Sequence, residues 1–148
     1  MSEKAAKIKL LEGVMNRPEV LPHVAPGIDV ATAGTFFDDP RNIMFGDERG
    51  LALFHVIADG LVEGHYLLTN EVRGPERLQM LRGFITQLFT LHDAWAIQGK
   101  TPRDMLHARC MNRALGFRPV GTSVDSDGRD CINYILERST WARLSAQA

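Results

Sequence analysis

The sequence predicts a mixed α/β (α+β) fold: a mostly antiparallel sheet flanked by helices, with parallel strands 61–69 and 94–98 joined by a crossover helix. Three observations predict it. Short apolar runs bounded by glycine and proline recur from residue 42 onward. Two of them, 51–57 and 61–69, are separated by Asp59-Gly60, a hairpin signal. A helical repeat, Leu78, Leu81, Ile85 and Leu88, then lies between two strand-like runs, and a strand reached through a helix runs parallel to the one before it.

Composition bounds the rest. At 148 residues the chain is long enough for one domain, 1–148, with a core of its own. Its 45% hydrophobic and 24% charged content are ordinary for a soluble globular protein. Net charge is −1 and no basic stripe stands out, which argues against a nucleic-acid binder. No apolar run is long enough to span a membrane. The start Met-Ser-Glu-Lys has no signal-peptide character, so the default location is cytoplasmic. Cys110 and Cys131 make neither a disulfide framework nor a zinc motif and read as two buried thiols.

In chain order, residues 3–16 form a helix, with Ile8, Leu11 and Met15 as a stripe widened by Leu10 and Val14. It ends before Pro18. Residues 17–41 are rich in proline and glycine and read as irregular chain with one short helix near 29–36. Residues 42–46 are a short strand, Gly46 to Gly50 turns the chain, and 51–57 has apolar residues on both faces, as a central strand does. After the hairpin, 61–69 feeds the turn Arg73-Gly74 and the helix 75–91, with Pro75 in its first turn. Residues 94–98 are the parallel strand.

A second helix spans 102–115. Thr101 and Asp104 form its capping arrangement, and Pro102 takes the first helical position. Met105, Ala108, Met111 and Leu115 are its buried stripe. Gly116 stops it, and Phe117 folds back on it. Strands 118–124 and 130–138 flank a turn at 125–129, and Trp141 begins a short tail.

Two regions carry chemistry. A helix that starts directly after a strand presents free N–H groups and partial positive charge, which suits a phosphate. Arg73 and Arg77 flank that start; Glu76 would repel an anion there, and Arg77 and Arg82 could offset it. On the hairpin, a regular two-residue loop sets His55 opposite Gly64. That puts His55 on one face and Glu63 with His65 on the other. The charge on Glu63 would raise the pKa of His65 or hold its tautomer. The same residues also suit partly solvated strand positions with no catalytic duty. Tyr66 points away from Glu63 and His65, and His92 suits a cap on the end of the helix before it.

The order strand, Arg-Gly turn, helix, strand, helix, Leu115-Gly116-Phe117, strand resembles the GCN5-related N-acetyltransferase (GNAT) superfamily over residues 43–138, and looks closest to GNAT-like proteins of tailed phages. The resemblance implies acetyl-CoA as co-substrate and an unidentified amine as acceptor. It places Arg73, Gly74, Arg77 and Leu78 at the cofactor's phosphates. Leu67, Leu68 and Thr69 would line its arm, with a backbone N–H near Leu68 polarising the carbonyl, and Asn112 would face it from the second helix. Glu63 and His65 become candidates for the general base. The family's usual first strand is not apparent here. The later small residues of its phosphate turn are replaced by Glu76, Arg77 and Leu78. Its leaving-group tyrosine is replaced by Asn112, which cannot act as an acid. These departures leave open a catalytically inactive protein with a phage assembly or partner-binding role. The hairpin 118–138 offers an edge for pairing with a second copy, so a homodimer is open too.

Overall fold

Alternating apolar residues build the expected sheet in the computed structural model, which describes residues 2–24 and 30–147. Helix α1 (Glu3–Met15) leads through a 3-10 turn (Leu21–His23) to α2 (Val30–Phe36), then β1 (Ile43–Asp47), β2 (Gly50–Ala58) and β3 (Leu61–Leu68). Helix α3 (Pro75–Leu91) crosses to β4 (Ala96–Pro102). Helix α4 (Leu106–Leu115), β5 (Arg118–Val124), β6 (Asp130–Glu137) and α5 (Arg138–Ala146) complete the chain. The strands form one six-stranded sheet in the order β1-β2-β3-β4-β6-β5. Every neighbouring pair is antiparallel except β3 with β4. The expected helix near 29–36 is α2; residue 29, like 25–28 of the irregular stretch, lies outside the described residues. None of the helices described is long and apolar enough to cross a membrane.

Each face of the sheet has its own core. On one face, α3 lays Leu81, Phe84, Ile85, Leu88 and Phe89 on Ala52, Phe54, Val62, Ile97 and Leu136. On the other, Leu11, Val14 and Met15 of α1 cover Leu51, Leu53 and Leu67. The N-cap of α1 is Ser2, whose hydroxyl accepts from the Ala5 N–H at 3.1 Å.

The β2–β3 hairpin departs from the regular register. Ala58 pairs with Leu61, but a bulge at Ile57 then sets Val56 opposite Val62 and His55 opposite Glu63. Without it, one slip would turn Phe54 and Ala52 away from the α3 core. The bulge leaves Ile57 40% exposed and keeps Ala52, Phe54, Val56 and Val62 together. His55 therefore shares a face with Glu63 and His65, contrary to the expectation from an unbulged hairpin.

Strand β4 is longer than 94–98 because β6 pairs with it from Ala96–Glu137 to Pro102–Cys131. Tertiary pairing overrides the local capping signal. Thr101 and Pro102 stay in the strand, the Met105 N–H turns back to the Pro102 carbonyl at 3.0 Å, and α4 starts only at Leu106 with no side-chain cap. At its other end the expected stop forms. Gly116 is left-handed at φ 97°, its N–H donates to Arg113 O, and the Phe117 N–H donates to Asn112 O, each at 3.0 Å. Of the expected α4 stripe only Leu115 is fully buried; Met105, Ala108 and Met111 are half-buried.

The short tail is helical, as α5. Trp141 of α5 packs on Phe89 with ring centroids 5.2 Å apart. Arg138 donates to the carbonyls of Ala94, Phe89 and His92 at 2.8, 2.5 and 2.6 Å and so adds to the cap of α3, where His92 is the C-cap, its N–H donating to Leu88 O at 2.9 Å. Cys131 is buried as expected, whereas Cys110 is exposed.

Candidate functional site

The parallel pair holds for three residues only: Leu61–Ala96, Val62–Ile97 and Glu63–Gln98. Beyond them β3 stays with β2 and β4 stays with β6, so the two strands part and leave a wedge in the middle of the sheet. Alternation fixes what β3 shows to it. The Gly60 carbonyl accepts from Trp95 on the β4 side, and the Thr69 N–H donates to Arg49 O on the β2 side, each in a short bond. Backbone groups of one parity face one neighbour, so those of Gly64, Tyr66 and Leu68 face the wedge. On the opposite arm, a Cβ built on Gly99 would meet nothing within 4 Å. Glycine inside a strand marks a place where another group approaches closely, and here the space is open.

The wedge opens toward the start of α3. Arg73-Gly74-Pro75-Glu76 is a tight turn closed by the Glu76 N–H on Arg73 O at 3.2 Å. Gly74 takes φ 57°, ψ −136°, the first central position of a type II′ turn, which favours glycine. Its ψ also suits a residue before proline. The N–H groups of Val72, Glu76 and Arg77 donate to Thr69 O, Arg73 O and Gly74 O. Those of Arg73 and Gly74 have no acceptor among the described residues and stand at the positive end of the helix.

The arginines divide their work. Arg73 Nε holds Asn70 O at 2.8 Å from an exposed position. Arg77 Nη1 donates to Val72 O at 3.0 Å and Thr69 O at 3.4 Å, so it shapes the turn from within. Arg82 donates to Ala114 O and joins α3 to α4 instead of facing the turn. Glu76 is offset by Arg49, 4.0 Å away on the β1–β2 turn. Nothing in the sequence puts Arg49 here, because only the sheet register brings it beside α3. Thr69 is fully buried, its hydroxyl donating to Arg49 O at 2.8 Å. Glu19 tethers the same loop by accepting from the Asn70 N–H at 3.1 Å. The N–H groups of Glu19 and Asn70, with Arg17, hold its carboxyl below the usual range.

The face of the sheet beyond α1 carries the polar residues. His55, Glu63 and His65 lie side by side on β2 and β3, and register places Gln98 and Lys100 of β4 and Asn133 of β6 on the same face. His65 Nε2 is 3.5 Å from Glu63 Oε1, with both side chains about one-fifth exposed. Burial is the largest influence on His65 and lowers its pKa; Glu63 opposes, while His55 and Lys100 add to the lowering. Glu63 pulls the pKa upward as expected, but the net shift is downward, because desolvation of the imidazolium outweighs one carboxylate. At neutral pH the imidazole is held in its proton-accepting form.

The structure brings Glu63 and His65 together, and Leu68, Arg73 and Gly74 along the wedge and turn. Leu78 is half-buried against the α3 core. Leu67 is buried beneath α1, on the far side from α3. The Asn112 amide donates to Thr101 Oγ1 at 2.9 Å and ties α4 to the end of β4. Sequence reasoning passes over Gly99 and Lys100, and sets Tyr66 aside because it points away from Glu63 and His65. Glycine in a strand is a usable signal for the first; the others need the register.

No family model and no curated protein matches the sequence. Solved structures do match. The chain superposes on mutant forms of the spermidine/spermine N-acetyltransferase SpeG from Vibrio cholerae with a TM-score of 0.75 at 13% identity, over 97% of this chain and 95% of that one. Aminoglycoside acetyltransferase AAC(6')-Ib in complex with coenzyme A gives 0.71 at 17% identity, over 95% and 94%. A GCN5-related N-acetyltransferase from Brucella melitensis gives 0.68 at 15% identity, over 97% and 76%. At these identities the likeness is one of fold, and the fold of this chain is that of the GCN5-related N-acetyltransferases.

Proposed function

We propose that the chain is an N-acetyltransferase that moves an acetyl group from acetyl-CoA to an amine. The observation that carries this reading is the parting of β3 and β4 directly above a helix start with unpaired N–H groups. Acetyl-CoA would supply an activated acyl thioester. The N–H groups of Arg73 and Gly74, with the Arg73 side chain, would hold its pyrophosphate. One of the N–H groups that β3 turns toward the wedge, at Gly64, Tyr66 or Leu68, would polarise the carbonyl. Glu63 and His65 would receive the proton of the acceptor amine, His65 being kept neutral by burial and so free to accept it. Orientation of two substrates and one polarising donor would make up most of the rate enhancement.

The structural neighbours are named for spermidine, spermine and aminoglycosides as acceptors. An acceptor panel for this chain starts from polyamines and aminoglycosides and extends to amino acids and peptide N-termini, with release of free thiol from acetyl-CoA as the readout. The reading predicts turnover with at least one amine. Glu63→Gln and His65→Gln should each lower kcat by about tenfold or more with little change in acetyl-CoA affinity. Unchanged kcat in both variants would remove them from the mechanism.

The rival is an inactive member of the fold with a phage assembly or partner-binding role. It is favoured by Asn112, whose amide donates to Thr101 Oγ1, and by Arg77, whose Nη1 donates to Val72 O and Thr69 O within the turn. Acetyl-CoA binding separates the two readings.

A further inference from the structure

Among the described residues, the buried side-chain polar atom without a hydrogen-bond partner is Tyr66 Oη. Buried hydroxyls nearly always have partners, so this one asks for an explanation. Tyr66 lies on the α3 side of β3, edge-on to Phe54 with centroids 6.0 Å apart, on the opposite face from Glu63 and His65. Its hydroxyl is located by its neighbours. A Cβ on Gly64 would lie 2.8 Å from Tyr66 Oη and 3.2 Å from Ile97 Cγ2. Gly64 is the first residue after the last parallel pair, Glu63–Gln98. The phenol thus folds back over Gly64 and sets its oxygen beside Ile97, at the apex of the wedge. Only glycine at 64 leaves room for it there. The other arm, at Gly99, is open.

We propose that the Tyr66 hydroxyl is the hydrogen-bond donor that meets the acyl-thioester end of the pantetheine arm at the apex of the wedge. The inference rests on the acetyl-CoA reading and assigns a residue within it. Asn112 of α4, which the resemblance sets facing the arm, donates instead to Thr101 Oγ1 at 2.9 Å. Burial pushes the phenol's pKa up, so it stays protonated and able to donate throughout the neutral range. Tyr66 is a donor here, not the base; the proton acceptors are on the other face of the sheet.

The test is Tyr66→Phe, read by thermal unfolding of the free protein and by calorimetric titration with acetyl-CoA and with 3′-phospho-ADP, which lacks the arm. Removing an orphaned hydroxyl leaves the free protein's Tm equal or higher. It weakens acetyl-CoA by roughly 2- to 10-fold, the share of one neutral hydrogen bond, and leaves 3′-phospho-ADP unchanged. Gly64→Ala, which pushes the hydroxyl off the apex, weakens acetyl-CoA in the same selective way. If the wild type binds acetyl-CoA and Tyr66→Phe binds it as tightly, the assignment fails and the acetyl-CoA reading stands. A lower Tm in the free variant would show that the hydroxyl has an internal partner and also defeats the assignment. If the wild type binds neither ligand, both fall together.

Discussion

Gly74 is the position where conformation and function can be separated most cleanly. Its φ of 57° with ψ of −136° is open to glycine and strained for any L residue. A Cβ at this position meets nothing within 4 Å, so Gly74→Ala creates no clash and removes no packing. The whole cost is backbone strain, about 1–3 kcal/mol. Alanine restricts the unfolded chain and returns about 0.4–1 kcal/mol. The net loss is then about 1–2 kcal/mol, or roughly 2–8 °C in Tm for a domain of this size. Urea unfolding followed by circular dichroism should show a lower midpoint at an unchanged slope, since the core is untouched. Gly74→Asn is the control. Asparagine tolerates the left-handed helical well, but this ψ lies outside it, so Asn should lose as much as Ala. A variant as stable as the wild type, or rescue by Asn, would refute the turn conformation. If the strain is relieved by rotating the peptide, the free N–H of Gly74 is reoriented, and acetyl-CoA affinity falls by about tenfold as well.

Two further outcomes follow from the same structure. Arg138→Ala removes three charged hydrogen bonds and the stacking of the guanidinium 5.2 Å from the Phe89 ring. Discounted for partial exposure, the loss is about 3 kcal/mol by urea unfolding, and Arg138→Lys should recover less than half of it, because an ammonium cannot span three carbonyls; a loss under about 1 kcal/mol would contradict the capping role. For pH, the folded pKa of His65 lies below its ordinary 6.5. The unfolded state therefore binds the proton first, so the stability this group contributes is complete above about pH 6.5 and is lost as pH falls from there through the folded value. His65→Gln should flatten that loss and Glu63→Gln should steepen it, because Glu63 opposes the effect of burial; unfolding curves measured between neutral and mildly acidic pH decide this.

Much of the fold is legible because local signals and tertiary pairing agree. The Asp59-Gly60 turn, the Arg73-Gly74-Pro75 helix start and the Leu115-Gly116-Phe117 stop each combine a turn residue with a periodic run, and each forms where expected. The misreadings come where distant pairing decides. Thr101-Pro102-Arg103-Asp104 is a plausible helix cap in isolation, but β6 holds Thr101 and Pro102 in a strand. Alternation places Glu63 with His65 correctly, while the bulge at Ile57, which no local residue announces, moves His55 to their face. Helix α5 escapes a local reading because its short apolar content, Trp141 and Leu144, is meaningful only against Phe89 and Gly116. The site is half legible. Its turn and its acid–histidine pair lie within single elements. Arg49, Lys100 and the orphaned Tyr66 hydroxyl are products of the sheet register.

The measurement that bears most directly on the central claim is calorimetric titration of acetyl-CoA into the wild type and Arg73→Ala. The account predicts saturable one-to-one binding in the micromolar range, weakened by about tenfold in the variant, as loss of one charge-assisted phosphate contact requires. Absence of binding at millimolar acetyl-CoA would contradict it and leave the wedge between β3 and β4 as a feature of the fold without this ligand.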